Sequence, residues 1–265
     1  MRFTLQYDGS FDGLLSAVFH AYAHKYPLDE VHISCDAGDS DLFGQNETVA
    51  TNPEHAQRVF QRLEQQIGRR GTVKLLYGFL SAAPEMPDTF LRIVRLALAQ
   101  PQRADILIDY GHFDVMQWAQ WVKSVSHEKH RMEGFVRFAE MENGMYFARI
   151  EPLYDVLPLI IRHFCQRFPA QQWAIYDMQR GYGVFHHSGG LHRISDLEES
   201  GLEASYSAHE RAYQQLWQRY FRSATIASRC NPRLHRQQMP QRYWKYLTEK
   251  KPLPPQSAQQ AGLDA

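Results

Sequence analysis

At 265 residues, with 44% hydrophobic side chains, the chain is long enough for one large or two small domains with a proper core. Its 29 Lys and Arg balance 29 Asp and Glu, which excludes a surface that binds polyanions everywhere and leaves only local basic patches. Cys35, Cys165 and Cys230 are widely spaced without a CxxC pair, which excludes a disulfide framework, a zinc ribbon and an iron–sulfur centre of the chain's own. This cysteine usage fits a cytoplasmic protein. The start "MRFTLQYDGSFDG" has no apolar signal core, and no apolar run reaches the roughly 18 residues of a membrane span, so no membrane association is expected.

Taken in chain order, Arg2 to Tyr7 reads as a short strand and Asp8-Gly9 as a turn. An amphipathic helix follows, with Ser10 at its N-cap and Leu14, Leu15, Val18, Phe19 and Tyr22 at helical spacing. A second strand spans Val31 to Ser34, and the polar stretch Asp36 to Glu47 reads as a loop. Asn52-Pro53 opens a helix to Ile67, with Pro53 at its first position. Further helices are predicted over Val73 to Leu80, Pro87 to Ala99 and Phe113 to Ser126.

Beyond residue 130 the period changes. "GFVRFAEMENGMYFARIEP" alternates on both sides of Glu142-Asn143-Gly144, a hairpin signal. A helix is predicted over Asp155 to Phe168, then strand "WAIYD", a turn at Gln179-Arg180-Gly181, strand "YGVFHH", and a helix from Tyr206 to Ser223. The expected fold is α+β: a mainly helical region over 1–130 with a short βα start, then 131–250 with an antiparallel sheet built from a doubled strand-strand-helix unit. The Pro- and Gln-rich tail, 251–265, is expected to be disordered.

Three constellations could carry chemistry. His127 and His130, in "HEKH", share a helical face at i and i+3. They lack a third ligand at a standard spacing, so no resident metal or cofactor is expected. Asp177 and Gly181 suit a turn by themselves, whereas Arg180 suits either a partner, a phosphate or simple pairing with Asp177. The two histidines that follow, His186 and His187, point to opposite sides of their strand.

The third constellation is the C-terminal segment. Arg229, Arg233, Arg236, Arg242 and Lys245 are interleaved with Tyr243 and Trp244, and Arg211, Arg219 and Arg222 with Tyr213, Trp217, Tyr220 and Phe221. Such a mixture suits single-stranded or damaged nucleic acid, the cations meeting phosphates and the rings meeting bases. The helical spacing of Tyr213, Trp217, Tyr220 and Phe221 equally suits a core face with arginines around it. No GxGxxG, P-loop or GxSxG pattern is present.

The stretches "YDGSFDGLLSAVFHAY", "HEKHRMEGFVRF", "WAIYDMQRGYGVFHH" and "NPRLHRQQMPQRYWKYLTEK" together resemble a bacterial family of DNA-metabolism or DNA-repair proteins. The C-terminal region of that family is similar to a domain also found fused to uracil-DNA-glycosylase-like domains. The resemblance implies a DNA-repair setting and a radical-SAM repair enzyme as working partner, with no catalytic residues to carry over. The leading expectation is an accessory protein that binds DNA. The alternatives are a nuclease, glycosylase or metal-dependent hydrolase using His127, His130 and Asp177, or a structural interaction module.

Overall fold

The computed structural model describes residues 2–36, 44–100, 105–195, 197 and 205–251. The predicted tail from Pro252 onwards lies outside the described residues. The chain divides into two compact units, Met1–His127 and Glu128–Ala265, and the fold is α+β.

The first unit is built on a parallel three-stranded sheet in the order β2-β1-β3, with β1 at Phe3–Gln6, β2 at Val31–Ser34 and β3 at Gln45–Thr48. Helix α1, Phe11–Ala23, starts where predicted because the Ser10 hydroxyl accepts from the Gly13 amide at 2.9 Å. Asp8 accepts from Ser10 and, at 2.7 Å, from the Thr51 hydroxyl, so the loops after β1 and β3 are tied together. Strand β3 lies partly inside the stretch read as a loop. It is a polar, largely exposed edge strand, so it carries no apolar alternation to reveal it.

Helix α2, Pro53–Phe79, opens on an Asn52 cap and is broken at Gly68, whose φ of 70° and ψ of 169° only glycine adopts readily. The predicted end at Ile67 is therefore real, but the second helical stretch resumes at once. Near its end, Gly78 gives room to the Trp118 indole, which would stand 2.1 Å from any Cβ there. Trp118 also donates to the Lys74 carbonyl at 3.0 Å. Helix α3, Met86–Ala99, adds Phe90, Leu91 and Val94 to a core shared with Leu5, Leu14, Leu15, Leu63 and Leu75.

Helix α4 runs over Phe113–Phe135, and the boundary between the units falls within it. The second unit carries a five-stranded sheet in the order β4-β5-β6-β7-β8. Strands β4, Ala139–Glu140, and β5, Tyr146–Ile150, form the predicted hairpin, with Gly144 at a φ of 79° in the turn. Helix α5, Leu157–Arg167, then carries the chain back, so β6, Trp173–Asp177, pairs parallel to β5. The sheet is mixed, not antiparallel throughout as the doubled unit suggested, because a crossover helix reverses the direction that a hairpin would give.

Strand β7, Tyr182–His187, pairs antiparallel with β6, and an unpredicted β8, Gly190–Ser195, follows it on the sheet's edge. Helix α6, Ala208–Ser223, is capped by Ser207, and the short α7, Pro232–Gln238, by Asn231. Among the described residues no helix is long and apolar enough to cross a membrane.

Candidate nucleic-acid interface

The hairpin residues are held inward. Asp177, at the end of β6, has a fully buried side chain; its Oδ1 accepts from the amides of Gln179 and Arg180, and its Oδ2 pairs with the Arg180 guanidinium at 2.9 Å. Arg180 also donates to the carbonyls of Pro152 and Leu153 at 3.1 and 3.0 Å, strapping the β5–α5 loop to the β6–β7 turn. Burial lifts the Asp177 carboxyl above its ordinary range, and the Arg180 charge opposes this without reversing it. His186 stacks on Trp173 with ring centroids 4.9 Å apart, and His187 stacks on His192.

These contacts answer what the arginine does at the turn. Arg180→Ala should lower unfolding free energy by roughly 1–3 kcal/mol, since a buried carboxylate and two carbonyls lose their donor. Any affinity for a phosphate-bearing ligand should be the same in the variant as in the wild type. Urea denaturation beside a binding titration checks both, and unchanged stability with weakened binding would reverse the assignment.

In "HEKH" the histidines are exposed and the glutamate between them is the buried residue. Glu128 is 1% exposed and lies on the same stripe of α4 as the buried Val125 and Met132. It accepts from the Leu153 amide at 2.7 Å, from Arg242 at 3.0 Å and from the Tyr243 hydroxyl. Burial, with the Glu128 carboxylate, pushes the Tyr243 phenol up to about 12, so it remains a donor. His130 stands 4.0 Å from Glu133. Among the described residues no group of three His, Cys, Asp or Glu is placed to hold a metal.

The C-terminal cations fall into two sets. Arg242 is paired to Glu128, Lys245 to Glu151 at 2.9 Å, and Tyr243 is buried at 5% exposure. Trp244 is half-buried and donates to the Met239 carbonyl at 3.0 Å. Glu249 completes the attachment by pairing with Arg137 at 2.9 Å and accepting from Trp217; together these outweigh burial and hold its carboxyl below the ordinary value. Arg242, Tyr243 and Lys245, expected as binding residues, thus tie residues 242–245 to carboxylates early in their unit, whereas Trp244, expected with them, contacts its own segment at Met239, His235 and Lys250. By contrast Arg219, Arg222, Arg229, Arg233 and Arg236 are exposed and, among the described residues, have no acidic partner. Residues 211–248 contain no Asp or Glu at all.

Helix α6 divides its rings, with Phe221 on the inward side and Tyr213, Trp217 and Tyr220 exposed. Its inward stripe is Glu210, Gln214, Gln218 and Phe221, with Gln218 buried and donating to the Thr248 carbonyl at 2.9 Å. Tyr213, Leu216, Trp217 and Tyr220 face outward, 65, 58, 42 and 61% exposed. The solvent side of the helix thus carries an apolar stripe beside the exposed Gln215, Arg219 and Arg222, where an ordinary surface helix is polar. Trp217 and Tyr220 stack at 5.7 Å.

An α+β protein with an exposed aromatic helix in an acid-free basic segment is the class that fold and site define. Residues 84–249 match the family described as a domain of unknown function, DUF4130. This match spans well over half of the chain, which belongs to that family. No curated protein matches it.

Proposed function

We propose that the protein is a nucleic-acid-binding accessory in DNA repair or DNA metabolism, with α6 and the segment after it as the contact surface. The observation that carries this reading is the set of five exposed arginines without acidic partners, in an acid-free segment beside outward-facing rings. Unpaired guanidinium groups attract phosphate, and their attraction is not already offset by internal carboxylates. The repair setting and the radical-SAM enzyme as partner rest on the sequence resemblance, including the likeness of the C-terminal region to a domain fused to uracil-DNA-glycosylase-like domains.

The test is a salt titration. Each phosphate neutralised contributes about 0.9 to the log–log slope on B-DNA and about 0.7 on a single strand. Combined replacement of Arg229, Arg233 and Arg236 by alanine should flatten the slope by about two to three if all three meet phosphate. Stability should hardly change, because exposed charges contribute little. Identical slopes for variant and wild type would remove this segment from the interface.

A further inference from the structure

We infer that the outward face of α6 is a stacking platform for unpaired nucleobases, so that the ligand class is single-stranded nucleic acid. This rests on the nucleic-acid reading above and specifies it. Tyr213, Leu216, Trp217 and Tyr220 stand at i, i+3, i+4 and i+7, within an arc of about 100° of the helix surface. Tyr213 and Tyr220 lie ~10 Å apart along the axis. At ~3.4 Å per stacked base that length accommodates about three bases. Trp217 and Tyr220 already associate as an offset pair, with their planes inclined by 30°. Arg219 lies on the helix border next to Leu216, about 60° round the helix, where a backbone running beside the bases would place its phosphates.

Charge selects this occupant over a second copy of the chain. A self-complementary helix pair would bring the same unpaired arginines of two protomers together with no acid in residues 211–248 to offset them. A polyanion removes that repulsion. A paired duplex, in turn, presents phosphates but keeps its base faces stacked, so it satisfies the arginines and leaves the four exposed apolar side chains in water. A single strand satisfies both.

The experiment uses the full chain and fluorescence anisotropy with three probes of about twelve nucleotides: oligothymidylate, a duplex of the same length, and an abasic phosphodiester strand. Oligothymidylate should bind at least about tenfold more tightly than either of the others. Tyr220→Ala should lose about tenfold on oligothymidylate alone, with its melting temperature unchanged because Tyr220 is exposed. Tyr220→Trp should restore binding. Binding should quench tryptophan fluorescence in the wild type, and Trp217→Phe should remove most of that quenching. Equal affinity for all three probes, lowered by the arginine variant and untouched by Tyr220→Ala, would overturn the platform while leaving the phosphate contact in place. No binding to any probe would overturn both. Self-association abolished by Tyr220→Ala would assign the face to a second copy instead.

Discussion

Replacing Glu128 with alanine should cost about 3–5 kcal/mol of unfolding free energy. The carboxylate is 1% exposed and gathers three donors: the Leu153 amide, the Arg242 guanidinium and the Tyr243 hydroxyl. Alanine would leave the buried Tyr243 hydroxyl and the Leu153 amide without an acceptor and would fill their place with nothing. Arg242, 41% exposed along its side chain, can turn towards water, which favours the lower end of the range. Glu128→Gln keeps one acceptor oxygen and should lose less. The neighbouring His127→Ala and His130→Ala should stay within about 0.5 kcal/mol, because both rings are exposed. Urea unfolding of the four variants gives the ranking, and a change below about 1 kcal/mol for Glu128→Ala would mean that this carboxylate does not hold the C-terminal segment.

Trp173→Ala should have a comparable effect, about 3–5 kcal/mol. The indole is 1% exposed at the start of β6, with Phe138 and Phe164 edge-on and His186 stacked on its face. Its Nε1 donates to the Phe168 carbonyl at 3.3 Å, joining the end of α5 to the sheet. Truncation would open a cavity bounded by rings that cannot collapse without moving both α5 and β7. Tyr213→Ala makes the contrast, since that ring is 65% exposed, and its loss should show in binding much more than in stability. If Trp173→Ala melted like the wild type, the packing between α5 and the sheet would not be what holds this unit.

The elements that the sequence makes legible are those with local chemical causes. Ser10, Asn52-Pro53 and Asn143-Gly144 each mark a boundary by what one side chain or one backbone conformation does, and each boundary stands where expected. Strands β3 and β8 were illegible because both are exposed edges; "QNET" and "GLHRIS" owe their state to the neighbour they pair with, not to a buried face. The parallel pairing of β5 and β6 depends on where α5 returns the chain, which no periodicity encodes.

At the site, the count of cations was readable and their partners were not. Arg236 and Arg242 look alike in sequence, yet a glutamate 114 residues away from Arg242 makes one a fastening and leaves the other exposed. Glu128 had a signal, a carboxylate in line with Val125 and Met132, but the adjacent histidines drew the chemistry to themselves. The direction in which α6 turns its rings is set by residues 248–251, far along the chain, so its own amphipathicity gave the stripe and not the side it faces.

The fastening also sets a schedule for synthesis. Glu128 and Arg137 are among the first residues of their unit to leave the ribosome, while Tyr243 and Glu249, 115 and 112 residues later, are among the last of its described part. Until those arrive, the carboxylate of Glu128 has no guanidinium to meet, and Gln218 has no carbonyl on which to dock α6. Closing so long a loop is entropically modest but slow, since the ends must meet before any contact rewards them. The sheet can form while the chain is still growing; the aromatic helix is fixed in place only afterwards. A chain stopped short of Arg242 would therefore emerge with a loose, sticky helix and a stranded buried charge, a substrate for chaperones and proteases.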